Sequence, residues 1–188
     1  MKKLAAIGAT LVLLVATAIA ASAETATVTI SGGSLSVTPA NVTLSAVTLD
    51  GTDQTSTSAS GANTWTAADA RGTGVGWNLT IVSTAFTSPS SPSRTIDIAQ
   101  ADQEFKIQLL DNNITTTAGN TKPTSTVTSL TAIPKSPAAA LKFLSAAVDT
   151  GMGTYSLQPN FELEIPAETY VGTGTYTATV TITAVSGP

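Results

Sequence analysis

Short runs in which apolar residues alternate with polar ones, mostly threonine, recur along this chain of 188 residues. The longest run extends from Tyr176 to Ala184, where every residue between the apolar ones is a threonine. Shorter runs occupy residues 24–30, 77–82, 105–109 and 161–165. Period-two alternation in pieces of about five to nine residues is typical of half-buried antiparallel strands. The sequence therefore predicts an all-β fold, an antiparallel β-sandwich of the immunoglobulin-like, Greek-key type.

One stretch is compatible with either a helix or a strand. Residues 136–147 are rich in alanine and leucine, with Pro137 at a plausible first helical turn. Leu141 and Phe143, however, alternate with Lys142, which favours a strand from Ala140 to Ser145. We favour the strand, because a short isolated helix is marginally stable without its own packing face.

The segments between the alternating runs are predicted as loops, with one irregular exception. Loops are expected over residues 51–63, 87–94 and 115–125, which are rich in Gly, Pro, Ser, Thr and Asn. Alternation from Val42 to Ala46 changes parity at Val47 and Leu49. That change predicts a strand with a bulge near Ala46.

The N-terminal residues have the pattern of a secretory signal peptide. Lys2 and Lys3 precede an apolar stretch from residue 4 to residue 20, and Ala21-Ser22-Ala23 forms a small-residue cleavage site. The apolar stretch is interrupted by threonines and ends in the cleavage pattern, which disfavours a retained membrane anchor. We therefore expect a signal peptide at residues 1–23 and a single exported domain at 24–188, without a membrane span after cleavage.

The composition excludes several kinds of chemistry. The chain has no cysteine and no histidine, so thiol nucleophiles, histidine bases and the usual zinc sites are excluded. Its 8 basic residues are outnumbered by 12 acidic ones and form no cluster beyond Lys2-Lys3, which argues against nucleic acid as a partner. We expect no enzyme activity and no cofactor.

Three sets of acidic residues are candidate sites. Asp50 and Asp111 lie in turn-like stretches whose oxygens could bind Ca²⁺, but neither stretch has the twelve-residue calcium-loop pattern, and Asx turns use the same residues. Glu162 and Glu164 share the polar side of a predicted strand. Their Thr-rich context favours solvent-facing charge over an acid–base pair.

A glycine-rich stretch precedes the second tryptophan of the chain. Gly72, Gly74 and Gly76 lack the Lys-Ser/Thr of a phosphate-binding loop and precede a strand, so they favour a tight corner. Trp77 begins an inward-facing stripe and is expected in the core. Asp69 is close enough along the chain to orient the guanidinium of Arg71 or to cap the turn.

This stretch, DARGTGVGWNL at residues 69–79, resembles the first motif of the WxL domain, a surface domain of Gram-positive and related bacteria. That motif places Asp-x-Arg-Gly-x-Gly before Trp-x-Leu. YTATVTITA at 176–184 resembles the second motif, Tyr-Thr-x-Thr-Leu-Thr-Trp-x-Leu, with Ile182 and Ala184 in place of Trp and Leu. FELEIPAETY at 161–170 is similar to the family's Val-Pro-Ala stretch. The resemblance implies non-covalent attachment to peptidoglycan or other cell-surface components through both motifs, that is, Asp69, Arg71, Gly72, Gly74, Trp77, Leu79, Tyr176 and Ile182.

A second functional class stays open, a structural subunit of an extracellular filament or surface layer. The predicted strand at residues 24–30 carries no charge after its first residue. An uncharged, exposed edge strand of this kind is a template for pairing with another subunit. In this alternative the chain forms a homopolymer by strand exchange through Thr25, Ala26, Val28 and Ile30.

Overall fold

The structure, a computed structural model, describes residues 25–59 and 61–188, and the predicted signal peptide lies outside them. Fourteen strands occur in these residues, and the only helical element among them is a 3₁₀ turn at Asp111–Asn113. The strands are β1 (Leu35–Thr38), β2 (Gln54–Thr57), β3 (Trp65–Asp69), β4 (Trp77–Ser83), β5 (Phe86–Ser88), β6 (Arg94–Ile96), β7 (Phe105–Gln108), β8 (Ile114–Gly119), β9 (Thr124–Ser125), β10 (Thr131–Ala132), β11 (Leu141–Ala146), β12 (Gly153–Leu157), β13 (Asn160–Ile165) and β14 (Val180–Ser186).

These strands form antiparallel sheets, which confirms the predicted all-β sandwich. Three four-stranded sheets have the orders β1-β3-β12-β8, β10-β7-β13-β2 and β14-β4-β11-β9, and β5 pairs with β6 in a hairpin. Most neighbours in these sheets are distant in sequence. Residues 31–188 form one compact unit.

Aromatic side chains connect the three sheets in one buried core. Trp65 of β3 contacts Phe143 of β11 edge-on, with ring centroids 6.1 Å apart, and lies 5.6 Å from Phe161 of β13. Phe161 in turn stacks on Phe105 of β7 at 5.5 Å. All four rings are buried, and such pairs contribute about 0.5–1.5 kcal/mol each beyond the burial of their area.

Several alternation patterns were correct, and some loop predictions were wrong. The stretch at 140–145, whose sequence is compatible with a helix or a strand, forms strand β11, as predicted. The predicted loop at 51–63 contains β2, and the predicted loop at 115–125 contains most of β8 and all of β9. These strands are short or largely exposed, so their sequences lack the alternating apolar residues from which a strand is predicted.

The segment 41–49 has the predicted change in parity but is not a strand. Val42 and Leu44 are half-buried, Ser45 and Ala46 are both exposed, and burial resumes at Val47. It contacts β2 through the Ser45 N–H, which donates to the Thr57 carbonyl at 2.9 Å, and an isolated bridge joins Leu44 to Ser58 just after β2, but no regular ladder forms. The alternation therefore predicted which side chains point inward, whereas the predicted strand pairing was wrong.

The predicted strand at 24–30 is also wrong for its described residues. Residues 25–34 belong to no strand, and the chain enters its first sheet only at Leu35. Val28 and Ile30 are 83% and 88% exposed. Residues 25–30 take part in no strand ladder, so pairing among the described residues does not stabilise their alternating pattern.

Candidate functional site

The glycine-rich stretch forms a corner between β3 and β4, organised by an ion pair. Asp69 is the last residue of β3, and its carboxylate is buried. Arg71 donates from Nε to Oδ1 at 2.8 Å and from Nη2 to Oδ2 at 2.9 Å. The Arg71 backbone N–H also donates to Oδ1, at 3.1 Å. The prediction that Asp69 orients Arg71 is therefore confirmed. The two side chains form a bidentate ion pair, the strongest arrangement for these groups.

The ion pair shifts the pKa of each partner in the direction that favours its charged form. The hydrogen bond from the Arg71 side chain lowers the pKa of Asp69, and burial of the carboxylate opposes it. The same hydrogen bond raises the pKa of Arg71 above its ordinary value. The carboxylate therefore stays ionised at neutral pH, and its charge is compensated within the corner.

Arg71 also connects the corner to the last strand. Its Nη2 donates to the carbonyl of Gly76 at 2.9 Å, and its Nη1 donates to the hydroxyl of Ser186 at 2.6 Å. Gly187 donates from its N–H to the same Gly76 carbonyl at 3.1 Å. The guanidinium thus joins the end of β3, the start of β4 and the end of β14.

Trp77 lies in the core, as predicted. Its side chain has no exposed surface, and its indole N–H donates to the carbonyl of Gly151 at 2.9 Å. The ring centroid lies 6.5 Å from that of Tyr155 on β12. Because every polar atom of the indole has a partner inside the fold, Trp77 does not present a surface to an external ligand.

The glycines of this stretch are required by backbone conformation and by space. Gly74 has φ of 66° and Gly76 has φ of 72°, values that L-residues with side chains rarely adopt. A Cβ at Gly74 would lie 2.6 Å from Oδ1 of Asp149, and one at Gly76 would lie 3.0 Å from the carbonyl of Ala147. The corner is therefore packed closely against the 147–152 loop, as its predicted tight turn requires.

The two sequence motifs meet in one antiparallel ladder. β14 pairs with β4, which places Ile182 opposite Ile81, Ala184 opposite Leu79 and Ser186 opposite Trp77. Leu79 is fully buried, and Ile182 is half-buried. The motif positions on β14 therefore lie beside those on β4 although about 100 residues separate them in the chain.

Tyr176 is the member of the predicted site that the fold does not bring to this corner. Val180 already pairs with Ser83 at the far end of β4, and Thr177 bridges to Thr87 of β5. The hydroxyl of Tyr176 donates to the carbonyl of Tyr170 at 2.7 Å. The predicted residues thus divide into a corner around Arg71 and a separate position at the other end of the sheet.

An open groove, which the sequence did not predict, lies at that other end. The groove has a volume of about 710 Å³, within the range of ligand pockets. Its walls are the segments 39–49 and 169–182, and its floor is formed by core residues, namely Trp65, Phe86, Ile96, Phe105 and Leu163. The only sequence signal for it is the mixture of small apolar residues and threonine in both walls.

Tyr170 stands at the edge of the open groove with its ring accessible. The side chain is 63% exposed, and the Arg94 guanidinium lies 3.9 Å from the ring centroid. A cation over one ring face attracts the ring and restrains the orientation of the aromatic plane. This stack is the most accessible aromatic feature of the described chain.

The acidic residues act mainly in local structure. The Asp50 carboxylate accepts from Thr52 and Gln54 in an Asx turn, and that of Asp111 accepts from the Ser125 N–H at 2.9 Å. The described ranges hold no group of three or more His, Cys, Asp or Glu residues that could bind a metal. They also hold no helix with the length and hydropathy of a membrane span.

The prediction for Glu162 and Glu164 is correct for the side of β13 that they share and wrong for the surroundings of Glu164. Glu162 and Glu164 share the less buried side of the strand, as expected. Glu164, however, pairs with Lys106 of β7, which also lies 3.3 Å from Glu104. The hydrogen bond that Lys106 donates to Glu164, aided by the one it donates to Glu104, raises the pKa of Lys106 against the effect of burial. Glu164 thus belongs to a cross-strand ion cluster and is not a free surface charge.

Comparison with known proteins gives one match. The protein-family model described as "WxL domain surface cell wall-binding" matches residues 24–188. No curated protein and no solved structure matches the chain significantly.

Proposed function

Because this chain belongs to the family of WxL surface cell wall-binding domains, we propose that it is a non-catalytic surface module held on peptidoglycan without a covalent bond. The family match over residues 24–188 carries the proposal, since it spans the whole sandwich and both motifs. Export follows from the predicted signal peptide, with the exported domain beginning at residue 24.

The corner around Arg71 serves this function indirectly. Trp77 is buried, and Arg71 directs four of its five N–H donors to Asp69, Gly76 and Ser186, so most of the bonding capacity of this corner is used within the fold. In our proposal these motif residues fix β14 against β4. The motif then determines the shape of the domain, and accessible residues elsewhere contact the wall.

The Arg94–Tyr170 stack is the proposed contact for the wall. Aromatic faces pack against the apolar faces of sugar rings, and an exposed ring already held by a guanidinium loses little freedom on binding. Hydroxyl groups of Thr169 and Thr175 line the adjacent groove and supply hydrogen-bonding partners for a sugar. Binding through these groups requires no metal ion.

Sedimentation with purified peptidoglycan tests the proposal. The exported protein is expected in the pellet, to the same extent with and without a chelator. Tyr170→Ala should lower the bound fraction, whereas Val148→Ala, which removes an exposed side chain outside the groove, should leave it unchanged. Protein that stays in the supernatant would contradict wall binding, and equal binding by both variants would remove Tyr170 as the contact.

A structural subunit assembled by strand exchange is the second candidate function. The observation that favours it is the segment 25–30, which alternates like a strand, belongs to no sheet and exposes Val28 and Ile30. Light scattering and negative-stain microscopy of the exported protein test this candidate. Polymers that disappear on deletion of residues 25–30 support it, whereas a single species with the mass of one chain contradicts it.

A further inference from the structure

The two walls of the open groove are the irregular segment 39–49 and the segment 169–182 that leads into β14, and both turn an apolar face toward it. In the segment 176–182 every second side chain, from Tyr176 to Ile182, is half-buried, and the threonines between them are exposed. In the segment 41–49, Val42 and Leu44 are half-buried in the same way. By contrast, Leu79 and Ile81 on the neighbouring strand β4 are fully buried. The sandwich is therefore open along this side, between two apolar faces.

Each wall also has a backbone edge without a ladder. β14 is the outermost strand of its sheet, and its strand partner is β4. The segment 41–49 is connected to β2 by the Ser45 N–H, which donates to Thr57 at 2.9 Å, and by the bridge at Leu44. Unpaired strand edges present rows of donors and acceptors to any extended chain that approaches them.

The segment 25–30 has the side-chain pattern that such a groove accepts. Ala26, Val28 and Ile30 form a small apolar face, and the three threonines that alternate with them, at positions 25, 27 and 29, form the opposite face. The segment contains no charge, no proline and no glycine, so it can be buried as a strand without an uncompensated charge or a missing donor. Its own exposure leaves the apolar face in water.

We propose that the open groove is an acceptor site for residues 25–30 of a second copy of this chain. The inserted segment would lie as an added strand along the free edge of β14, with Ala26, Val28 and Ile30 directed toward the groove floor. Backbone donors and acceptors on both chains would then be satisfied between subunits. The inference rests on the strand-exchange candidate above and identifies the surface that receives the strand.

This contact would generate a linear polymer. The donor segment and the acceptor groove are different surfaces of the same chain, so each subunit gives one strand and receives one. A head-to-tail contact of this type does not saturate in a dimer, and it grows into a filament unless its rotation closes a ring.

Cysteine cross-linking tests the site directly, because the natural chain has no cysteine. Full-length exported protein carrying Val28→Cys is mixed with protein carrying Ala178→Cys, a residue that lines the groove. Under mild oxidation, a disulfide between the two variants should form, identified by peptide mapping. Thr128→Cys, at an exposed position outside the groove, serves as the matched control partner and should give little of this product.

The cross-linking results test the proposed acceptor site and strand exchange as two distinct hypotheses. Polymers without the Val28–Ala178 product would overturn this acceptor site and leave strand exchange in place. Absence of both polymers and product would overturn strand exchange as well. In a Val28→Cys/Ala178→Cys double variant, a disulfide within a single chain would assign the groove to the chain's own N-terminal segment and would also overturn the proposal.

Filling the groove provides a second, independent measurement. Ala178→Trp places a large ring where the donor strand would lie, and Thr181→Trp places the same ring on the exposed face of the same segment, 176–182. Ala178→Trp should lower the polymer fraction by at least about tenfold at a given concentration, and Thr181→Trp should leave it near the natural level. Circular dichroism confirms that both variants are folded, and equal assembly by both would contradict the acceptor site.

Discussion

Trp77 and Gly151 are joined by a hydrogen bond of 2.9 Å from the indole N–H to the glycine carbonyl, in a contact that leaves Gly151 no room for a side chain. A Cβ on Gly151 would lie 2.8 Å from the indole nitrogen and closer still to the Cβ of Ala146. Gly151 also has φ of 70°. The family's tryptophan therefore depends on a glycine in a distant loop.

Gly151→Ala should destabilise the protein strongly, although it adds only one methyl group. The added methyl group overlaps Trp77 and Ala146, and alanine disfavours the positive φ, so the expected loss is about 1–3 kcal/mol. Urea denaturation followed by tryptophan fluorescence measures it. Gly61→Ala, at a positive φ with open space around it, isolates the backbone contribution and should cost less. Equal losses would mean that the contact with Trp77 is not tight.

Trp77→Ala should cost about 3–5 kcal/mol, as large aromatic truncations in cores do. Trp77→Phe keeps much of the apolar volume but removes the N–H donor to Gly151, so its loss should be smaller. Chemical denaturation of both variants measures the difference. A loss below about 1 kcal/mol for the alanine variant would contradict burial of the ring.

Asp69→Asn should reduce stability in a manner that depends on pH. The folded state lowers the pKa of Asp69, so the ion pair contributes fully above the ordinary pKa of aspartate and is lost as the pH falls through the lowered value. At pH 7 the variant should be less stable by about 1.5–3 kcal/mol.

The difference between the natural protein and Asp69→Asn should narrow from about pH 4 downwards. Denaturation midpoints at several pH values measure it. Asp53→Asn provides a comparison at an acidic residue whose carboxylate accepts from the Ala167 N–H on the surface. A stability difference for Asp69→Asn that stays constant down to the acid limit would contradict an ionised, compensated Asp69.

The exported protein should begin at Glu24. Cleavage after Ala23 follows from the small residues at positions 21 and 23. N-terminal sequencing of protein recovered from the cell surface checks the site, and Ala23→Arg should block processing because the cleavage site requires a small residue. Surface material that retains Met1-Lys2-Lys3 would contradict the prediction.

Sequence periodicity predicted the strands that bury large side chains on alternate positions. β4, β7, β13 and the half-buried stretch before and within β14 follow the alternation closely. β3 was not predicted, because its inward residues are Trp65, Ala67 and Asp69, of which only the first resembles a core residue. β8 buries only Ile114 and is otherwise exposed, so its sequence resembles a polar loop.

The site could be predicted only where its contacts are local. The Asp69–Arg71 pair spans two residues, and proximity along the chain was enough to expect it. The partners of Arg71 at Ser186 and of Trp77 at Gly151 are 115 and 74 residues away. No local pattern encodes such contacts, and the open groove, which is built from two distant segments of small residues, was missed for the same reason.

The ladder between β4 and β14 also sets the order of events while the chain is being made. Synthesis proceeds at about 5–20 residues per second, so β14 emerges roughly 5–20 s after β4. During that interval Leu79 and Ile81 belong to a strand whose second neighbour does not yet exist. Because β11 also follows β4 in the chain, Leu79 and Ile81 have no complete sheet around them until the last strand has been made.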